Sequence, residues 1–242
     1  MSKIFIDIPH AGRLIPDDWL YYCPESALIL GQDRYVDLLV HGVRANHILY
    51  QPFHRVYYDV NSDPRDIILD APYSMPQMAL KGRGIMWKSV HGSFVSHIDL
   101  PEYHKRLMHA YWPYVNQLVD NLHQHDVWLQ FHSMQKKSSH GWHPDIVLGS
   151  LNGRTCSLDW LKYCTEFCST KGYDVMCDWP FAGGYLLKRY HHLVSRALQV
   201  EINKSLYLNQ RGEPDEARVA RLRRDIDLFI DYVSDMSTSS WL

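Results

Sequence analysis

Residues 127–133 are the stretch that most restricts the fold of this chain of 242 residues. The run is apolar apart from Gln130 at its centre and His132 and Ser133 at its end, and a polar, loop-like segment follows it. Such a run is typical of a strand buried on both faces of a parallel sheet. Ligands of open α/β sheets bind outside the carboxyl ends of the strands, so His132 is either a functional residue or a histidine that merely ends a strand.

Two further predicted strands carry an ionisable side chain at or near their carboxyl ends. Residues 3–8 are followed by Pro9 and His10, and residues 197–203 contain Glu201. A predicted helix at residues 33–45 begins with Asp33, and Asp37 lies one turn later. A carboxylate at a helix start can simply favour the helix dipole, and we expect this explanation to hold for at least one of these two aspartates.

Strand and helix patterns alternate along the chain. This alternation predicts an α/β fold, a three-layer α/β/α arrangement with a mainly parallel central sheet, in one domain over residues 1–242. Cys164 and Cys168 lie on the apolar face of a predicted helix at residues 157–171, where we expect them to pack as core residues rather than to bind metal. The other predicted elements are strands at 47–51, 55–60, 145–149 and 175–177, and helices at 99–122, with a kink at Pro113, and at 214–236.

Composition excludes several classes of partner. The formal net charge of −2 argues against nucleic acid or an anionic membrane as a partner recruited by charge. No apolar run is long enough to span a bilayer, and the amino terminus opens on a strand pattern instead of a signal peptide. Five cysteines, an odd number in a chain of this size, indicate a reducing compartment, so we expect a cytoplasmic protein.

The ionisable residues at the predicted strand ends indicate a metal site. Two imidazoles and one carboxylate are a common ligand set of catalytic zinc, with the fourth position left to water, and a further carboxylate can move the proton of that water. Arg65 and Arg189 lie on predicted rim loops, where a guanidinium could hold a substrate carboxylate. No HExxH motif is present. The histidines that could compete as ligands lie in irregular sequence, where we expect exposed side chains: His140, His143, His191 and His192.

A series of short motifs runs in order from about residue 4 to about residue 208. The motifs are Ile8-Pro9-His10-Ala11-Gly12, Asp33-Arg34-Tyr35-Val36-Asp37, Asp59-Val60-Asn61, Tyr103-His104 with Tyr111-Trp112-Pro113-Tyr114, Phe131-His132-Ser133, Pro144-Asp145-Ile146-Val147-Leu148-Gly149, Gly183-Gly184-Tyr185 and Gln199-Val200-Glu201. Together they resemble the N-formylglutamate amidohydrolases, a family similar in fold to zinc carboxypeptidases and aspartoacylases.

The resemblance implies a zinc-peptidase-like (phosphorylase/hydrolase-like) fold and an amidohydrolase with one zinc ion per chain. Its substrate would be a small N-formyl or N-acyl amino acid such as N-formylglutamate, cleaved to the carboxylate and the free amino acid. The resemblance makes His10, His132 and an early aspartate the metal ligands and Glu201 the catalytic base. Asp33 is favoured over Asp37 because it lies nearer the predicted strand ends. The expected substrate contacts are Asn61, Arg65, Tyr185 and Arg189.

Two departures from the family pattern concern the site. The family usually has an aspartate where this chain has Gln130, and an arginine where it has Ser62. The first exchange removes a carboxylate expected near a metal ligand, and the second removes an arginine that would bind a substrate carboxylate, a task that Arg65 could take over. Two alternatives therefore stand beside the amidohydrolase: a carboxypeptidase-like zinc hydrolase on another small amide or peptide, and a non-catalytic binding protein of the same fold.

Overall fold

The structure, a computed structural model, describes residues 1–16, 25–65, 84–87, 89–90, 93–94, 100–138 and 141–236. The chain forms two compact units. The first unit comprises Met1–Ile8, Tyr35–Leu49 and Val119–Leu242, and the second comprises Pro9–Arg34 and Tyr50–Leu118. The assignment of residues 1–242 to one domain stays a prediction.

A six-stranded, mainly parallel sheet is the centre of the first unit. Its strands are Ile4–Ile8 (β1), His47–Tyr50 (β2), Val127–Met134 (β5), Ile146–Gly149 (β8), Val175–Cys177 (β9) and Arg196–Asn203 (β10). They lie in the order β2, β1, β5, β10, β8, β9. The neighbours β1, β5 and β10 are parallel, β8 runs antiparallel to β10, and β9 runs parallel to β8.

The central strands confirm the prediction of a buried parallel sheet. Every residue of β1 and β5 is buried, and so is every residue of β10 after Arg196. The helices of the two units, numbered α1 to α7 in chain order, are Glu25–Gly31, Val36–Val40, Leu100–Arg106, Trp112–Leu122, Leu158–Thr170, Tyr185–Tyr190 and Glu216–Asp235. Two short hairpins complete the elements, Ser89–Val90 with Ser93–Phe94 (β3 and β4) and Lys137–Ser138 with Gly141–Trp142 (β6 and β7).

Helix α2 begins later than the sequence pattern predicts. Tyr35 has φ 65°, the left-handed conformation, so the helical turn can start only at Val36. Asp33 therefore lies before the helix and not in its first turn. The structure also ends this helix at Val40, although the apolar spacing predicted helix up to residue 45.

The prediction of a strand at residues 55–60 is wrong. The backbone turns there because the backbone N–H groups of Tyr57 and Tyr58 both donate to the carbonyl of His54, at 2.9 and 3.1 Å. The ring of His54 reinforces the turn, since its Nδ1 accepts from the amide of Val56 at 3.1 Å and its Nε2 donates to the carbonyl of Leu28 at 3.0 Å. The alternating apolar residues of this segment are buried by the turn and not by a sheet.

The long helix predicted at residues 99–122 is two helices joined by a π-helical turn. Helix α3 leads into a π-helical segment at Leu107–Tyr111, and α4 begins at Trp112. Pro113 cannot donate to the preceding turn, so the interruption falls just before the predicted kink. The first residue of the predicted helix, Asp99, is outside the described residues.

Helices α5 and α7 match the amphipathic helices that the sequence predicts. Helix α5 lies against β8, β9 and α7, with Cys164 and Cys168 buried on its inner side. The side chains of Ser157 and Asp215 cap the first turns of α5 and α7 by accepting backbone N–H bonds. Within the part of the chain that the structure describes, no helix is long and apolar enough to cross a membrane.

His54 should make folding sensitive to mild acid. Burial lowers the pKa of His54 from 6.5 to about 4. Because the unfolded chain takes up a proton near pH 6.5 and the folded chain does not, stability is present above that pH and is lost as the pH falls toward 4. We expect the free energy of unfolding to fall by up to about 3 kcal/mol over this pH range. In His54→Gln, the free energy of unfolding should depend less on pH in the same range. Urea denaturation across the pH range measures it, with the exposed His104→Gln as control, and an unchanged slope in His54→Gln would contradict the explanation.

The buried cysteines should be structural. Burial raises the pKa of Cys168 to about 12 and that of Cys164 well above its usual value, so neither thiol is prepared to bind a metal. Replacing both with alanine should lower the free energy of unfolding by about 2 kcal/mol and leave metal content unchanged. The exposed Cys177→Ala is the control, with an expected change within about 0.5 kcal/mol. Metal analysis and urea denaturation of the variants decide the matter, and loss of metal from the double variant would refute it. Cys23 is outside the described residues.

Candidate functional site

His10 and Asp33 are joined through the backbone and face each other. His10 lies two residues after the end of β1, and its carbonyl accepts from the amide of Asp33 at 3.1 Å. Both residues are buried, with 3% and 5% of their surface exposed. Nδ1 of His10 is 3.5 Å from Oδ2 of Asp33. The structure thus brings together two of the predicted metal ligands.

A close backbone approach fixes the loop that carries His10. A Cβ atom on Gly12 would lie 2.3 Å from the carbonyl oxygen of Phe53 and 2.4 Å from that of Gln51, so only glycine fits. The buried amide of Gln32 donates to the carbonyls of Ala11 and Gly12, at 2.7 and 3.1 Å. These contacts hold the loop after β1 and the segment before Asp33 in one arrangement.

Asp59 binds the other nitrogen of His10. Oδ1 of Asp59 is 2.8 Å from Nε2 of His10 and also accepts from the amide of Asn61 at 3.0 Å. Oδ2 accepts from two nitrogens of Arg55, at 2.6 and 3.2 Å. Although burial favours the neutral acid, Arg55 and His10 hold the pKa of Asp59 well below its usual range. The carboxylate is therefore charged at neutral pH.

Arg55 is the cation of this cluster. Nη1 of Arg55 lies 3.9 Å from Oδ1 of Asp33, while its other nitrogens bind Asp59, and its guanidinium lies over the ring of Trp87 at 5.0 Å. Burial and the Arg55 charge both lower the pKa of His10, but the carboxylates of Asp59 and Asp33 outweigh them, and the net result is a raised pKa. The guanidinium thus pairs directly with Asp59 and lies near the second buried carboxylate, Asp33.

In the first unit, the strand register places Glu201 opposite His132. The two residues are partners on the parallel neighbours β10 and β5, and both are buried. Gln199, two residues earlier on β10 and on the same face, donates to Oε1 of Glu201 at 2.9 Å. The side-chain oxygen of Gln199 accepts from the backbone N–H of Gly184 at 2.8 Å. One glutamine therefore links the glycine turn before α6 to the carboxylate.

A buried carboxylate stands opposite Gln130. Asp7 on β1 is the register partner of Gln130, and it is fully buried. It accepts from Nε2 of Gln130 at 3.1 Å and from the indole nitrogen of Trp128. The carboxylate that the family resemblance leads one to expect at residue 130 is thus found on the neighbouring strand, with two donors from β5.

The donor set at His10 fits a metal ion. His10 and Asp33 are both buried, and each offers one ligand atom to such an ion. Two ligands bonded to tetrahedral zinc at its usual bond lengths lie about 3.3 Å apart. The separation of 3.5 Å between Nδ1 of His10 and Oδ2 of Asp33 is close to that value. An imidazole nitrogen and a carboxylate oxygen are also ligand types that zinc prefers.

The histidines that competed as ligands lie elsewhere. Among the residues that the structure describes, no group able to hold a metal includes His143, His191 or His192. Nδ1 of His143 lies 2.7 Å from the carbonyl oxygen of Gln135, and His191 and His192 belong to a short 3₁₀ turn. His140 is outside the described residues.

The predicted substrate contacts have different surroundings. Asn61 is half-buried, and its backbone N–H donates to Asp59. Tyr185 is half-buried at the start of α6. Arg189 is exposed one turn later on α6. The side chain of Arg65 is 86% exposed and forms a two-pronged contact with Asp63.

Sequence reasoning gave no role to Arg55 or Asp59. Asp59 served only as part of a family motif, and Arg55 was placed inside a predicted strand. The spacing of four residues between Arg55 and Asp59 is a signal for a paired cation and carboxylate, but only on a turn or helix, which the predicted strand excluded.

A family profile and one solved structure name the same family. The profile of the N-formylglutamate amidohydrolase family matches residues 2–208. The crystal structure of N-formylglutamate amidohydrolase from Ralstonia eutropha is similar, with a TM-score of 0.83 and 26% identity over 97% of this chain and 94% of that one. A gene product of Agrobacterium tumefaciens shares the fold, with a TM-score of 0.67 and 14% identity over 96% of this chain and 92% of that one. Comparison with curated protein sequences gave no significant match.

The pair of Asp7 and Gln130 should behave as one carboxylate shared by two strands. Gln130→Asp alone would put two buried carboxylates side by side, and we expect it to lower the free energy of unfolding by about 3 kcal/mol or more. Adding Asp7→Asn to that variant returns the pair to one carboxylate and one amide, and should recover much of the loss. A double-mutant cycle by urea denaturation tests this, and strictly additive effects of the two substitutions would contradict the pairing.

Proposed function

The chain belongs to the N-formylglutamate amidohydrolase family and is a hydrolase of amide bonds, and we propose that it uses one zinc ion to cleave an N-formyl or N-acyl amino acid such as N-formylglutamate. The products would be the carboxylate and the free amino acid. The observation that carries the proposal is the buried arrangement of Nδ1 of His10 and Oδ2 of Asp33 at a separation typical of two ligands on one ion.

His10, Asp33 and His132 are the proposed metal ligands. The strand register supports the inclusion of His132. Since β1 and β5 run parallel with Asp7 opposite Gln130, the residues that follow these positions leave the sheet at the same edge. Asp33 is the proposed carboxylate because it is buried and held against the backbone of His10, whereas Asp37 is half-buried in the first turn of α2.

Zinc held by His10, Asp33 and His132 would supply Lewis acidity, which would polarise the amide carbonyl and allow water to ionise near neutral pH. Glu201 is the proposed general base. Its carboxylate would take a proton from the attacking water and then pass that proton to the departing nitrogen, because an amine anion cannot leave unaided. His132, opposite Glu201 in the sheet, belongs to the same proposed catalytic set.

The surroundings of Glu201 support a prepared base. Gln199 donates to one carboxylate oxygen, which fixes the orientation of the group without neutralising its charge. Burial of the residue to 7% exposure limits competition from bulk water. A carboxylate buried inside a sheet is costly to keep, so its presence favours a functional role.

Asn61, Tyr185, Arg189 and Arg65 remain the proposed substrate contacts. Tyr185 follows Gly184, which is tied to Gln199 and through it to Glu201, so it is supported by a chain of hydrogen bonds. Arg65 would first have to release Asp63 before it could bind a substrate carboxylate. We also propose a cytoplasmic location, which is supported by the four free cysteines of the described residues.

Glu201→Gln tests the role of the base. It keeps the shape of the side chain and removes its ability to take a proton, so we expect normal folding, retained zinc and a loss of turnover of about a hundredfold or more. Zinc content, thermal stability and turnover are measured on one preparation, after N-formyl and N-acetyl amino acids and short peptides have been screened to find a substrate.

The matched control is Glu166→Gln, an exposed carboxylate on α5, which should leave all three quantities unchanged. Lost stability with nearly intact turnover per folded molecule would show that Glu201 is structural instead. Absence of any divalent metal under every loading condition would refute the zinc proposal, and turnover of peptides alone would favour the carboxypeptidase-like alternative.

A further inference from the structure

The two ring nitrogens of His10 have different surroundings. Nε2 is 2.8 Å from Oδ1 of Asp59, a normal hydrogen-bond length. Nδ1 is 3.5 Å from Oδ2 of Asp33, which is long for a hydrogen bond but close to the separation of two zinc ligands. A neutral imidazole carries one proton, so the nitrogen that holds it decides which nitrogen can bind a metal.

Hydrogen bonds from neighbouring residues fix the orientation of the Asp59 carboxylate. Both of its oxygens are engaged from fixed directions: Oδ1 by the amide of Asn61 and Oδ2 by the fork of Arg55. Arg55 in turn lies over the ring of Trp87. A carboxylate anchored at this many points cannot turn away from Nε2 of His10 at little cost.

We propose that Asp59, anchored by Arg55, is a positioning residue that keeps the proton of neutral His10 on Nε2 and thereby makes Nδ1 the metal-binding atom. Nε2–H donates to Asp59, and the lone pair of Nδ1 is left facing Asp33. This inference rests on the proposed function, since it assigns the residue that prepares a ligand of the proposed zinc ion. Asp59 binds Nε2 of His10, and its proposed role is exercised through that residue.

The position of the proton can be measured without any metal. Proton–nitrogen NMR of the metal-free protein, at a pH well above the pKa of histidine, distinguishes the two neutral tautomers, and the signals of His10 are identified by their loss in His10→Gln. We expect the Nε2–H form in the unmodified protein. The Nδ1–H form would overturn the proposal, whatever the metal content turns out to be.

The effect on the metal is measured separately, by competition for zinc with a chelator. Asp59→Asn keeps the size of the side chain but weakens the acceptor and leaves Arg55 without its partner, and we expect zinc affinity to fall about 10- to 100-fold. Arg55→Gln should cause a smaller fall, since Asp59 is still present but loses its anchor. The control is Asp63→Asn, which breaks another arginine–aspartate fork nearby in the sequence and should leave zinc affinity unchanged.

The outcomes separate this inference from the proposed function. If the unmodified protein binds no zinc, the zinc proposal fails, while the tautomer of His10 still tests the role of Asp59. If the protein binds zinc and folded Asp59→Asn binds it equally well, the positioning role is refuted. Should Asp59→Asn fail to fold, Arg55→Gln and the tautomer of the unmodified protein decide, since the side chain of Arg55 is 22% exposed and its loss is easier to tolerate.

Discussion

The contact between Arg55 and Asp59 is the interaction on which the cluster around His10 depends. Two carboxylates, Asp33 and Asp59, are buried beside one imidazole, and an unpaired buried carboxylate costs several kcal/mol. The fork of Arg55 compensates Asp59 directly and lies 3.9 Å from Asp33. Because the guanidinium stays charged at any physiological pH, this compensation does not vary with conditions.

The chemistry of the sheet depends on register instead of charge. Three parallel neighbours, β1, β5 and β10, bring a row of polar side chains to one buried face, where Gln130 donates to Asp7 and Gln199 accepts from the backbone of Gly184. The side-chain amide of Gln199 binds both Glu201 and the backbone of Gly184, so one residue fixes the position of two groups. An apolar residue at this position would leave the carboxylate with fewer donors and the glycine turn without its tie.

The sequence predicted the sheet well and the second unit poorly, for physical reasons. The run at residues 127–133 is short, rich in apolar and aromatic residues and followed by a polar, loop-like segment, a combination typical of a central strand. Residues 55–60 also have a strand-like pattern, but the ring of His54 binds the backbone of Val56 and imposes a turn, and no local pattern signals such a contact. The role of Arg55 was missed for that reason, since a strand would separate it from Asp59. The spacing of apolar residues also does not reveal the left-handed conformation of Tyr35, because of which α2 begins after Asp33.

The pairing of His132 with Glu201 also bears on which changes of sequence the enzyme can survive. Side chains alternate between the two faces of a strand, so inserting or deleting one residue within β5 or β10 would turn one partner to the opposite face. Substitutions at neighbouring positions need only preserve packing, whereas a change of length in either eight-residue strand would remove the pair at once. Among relatives of this chain, insertions and deletions should therefore gather in the turns before and after these two strands, and the strand lengths should be the slower to diverge.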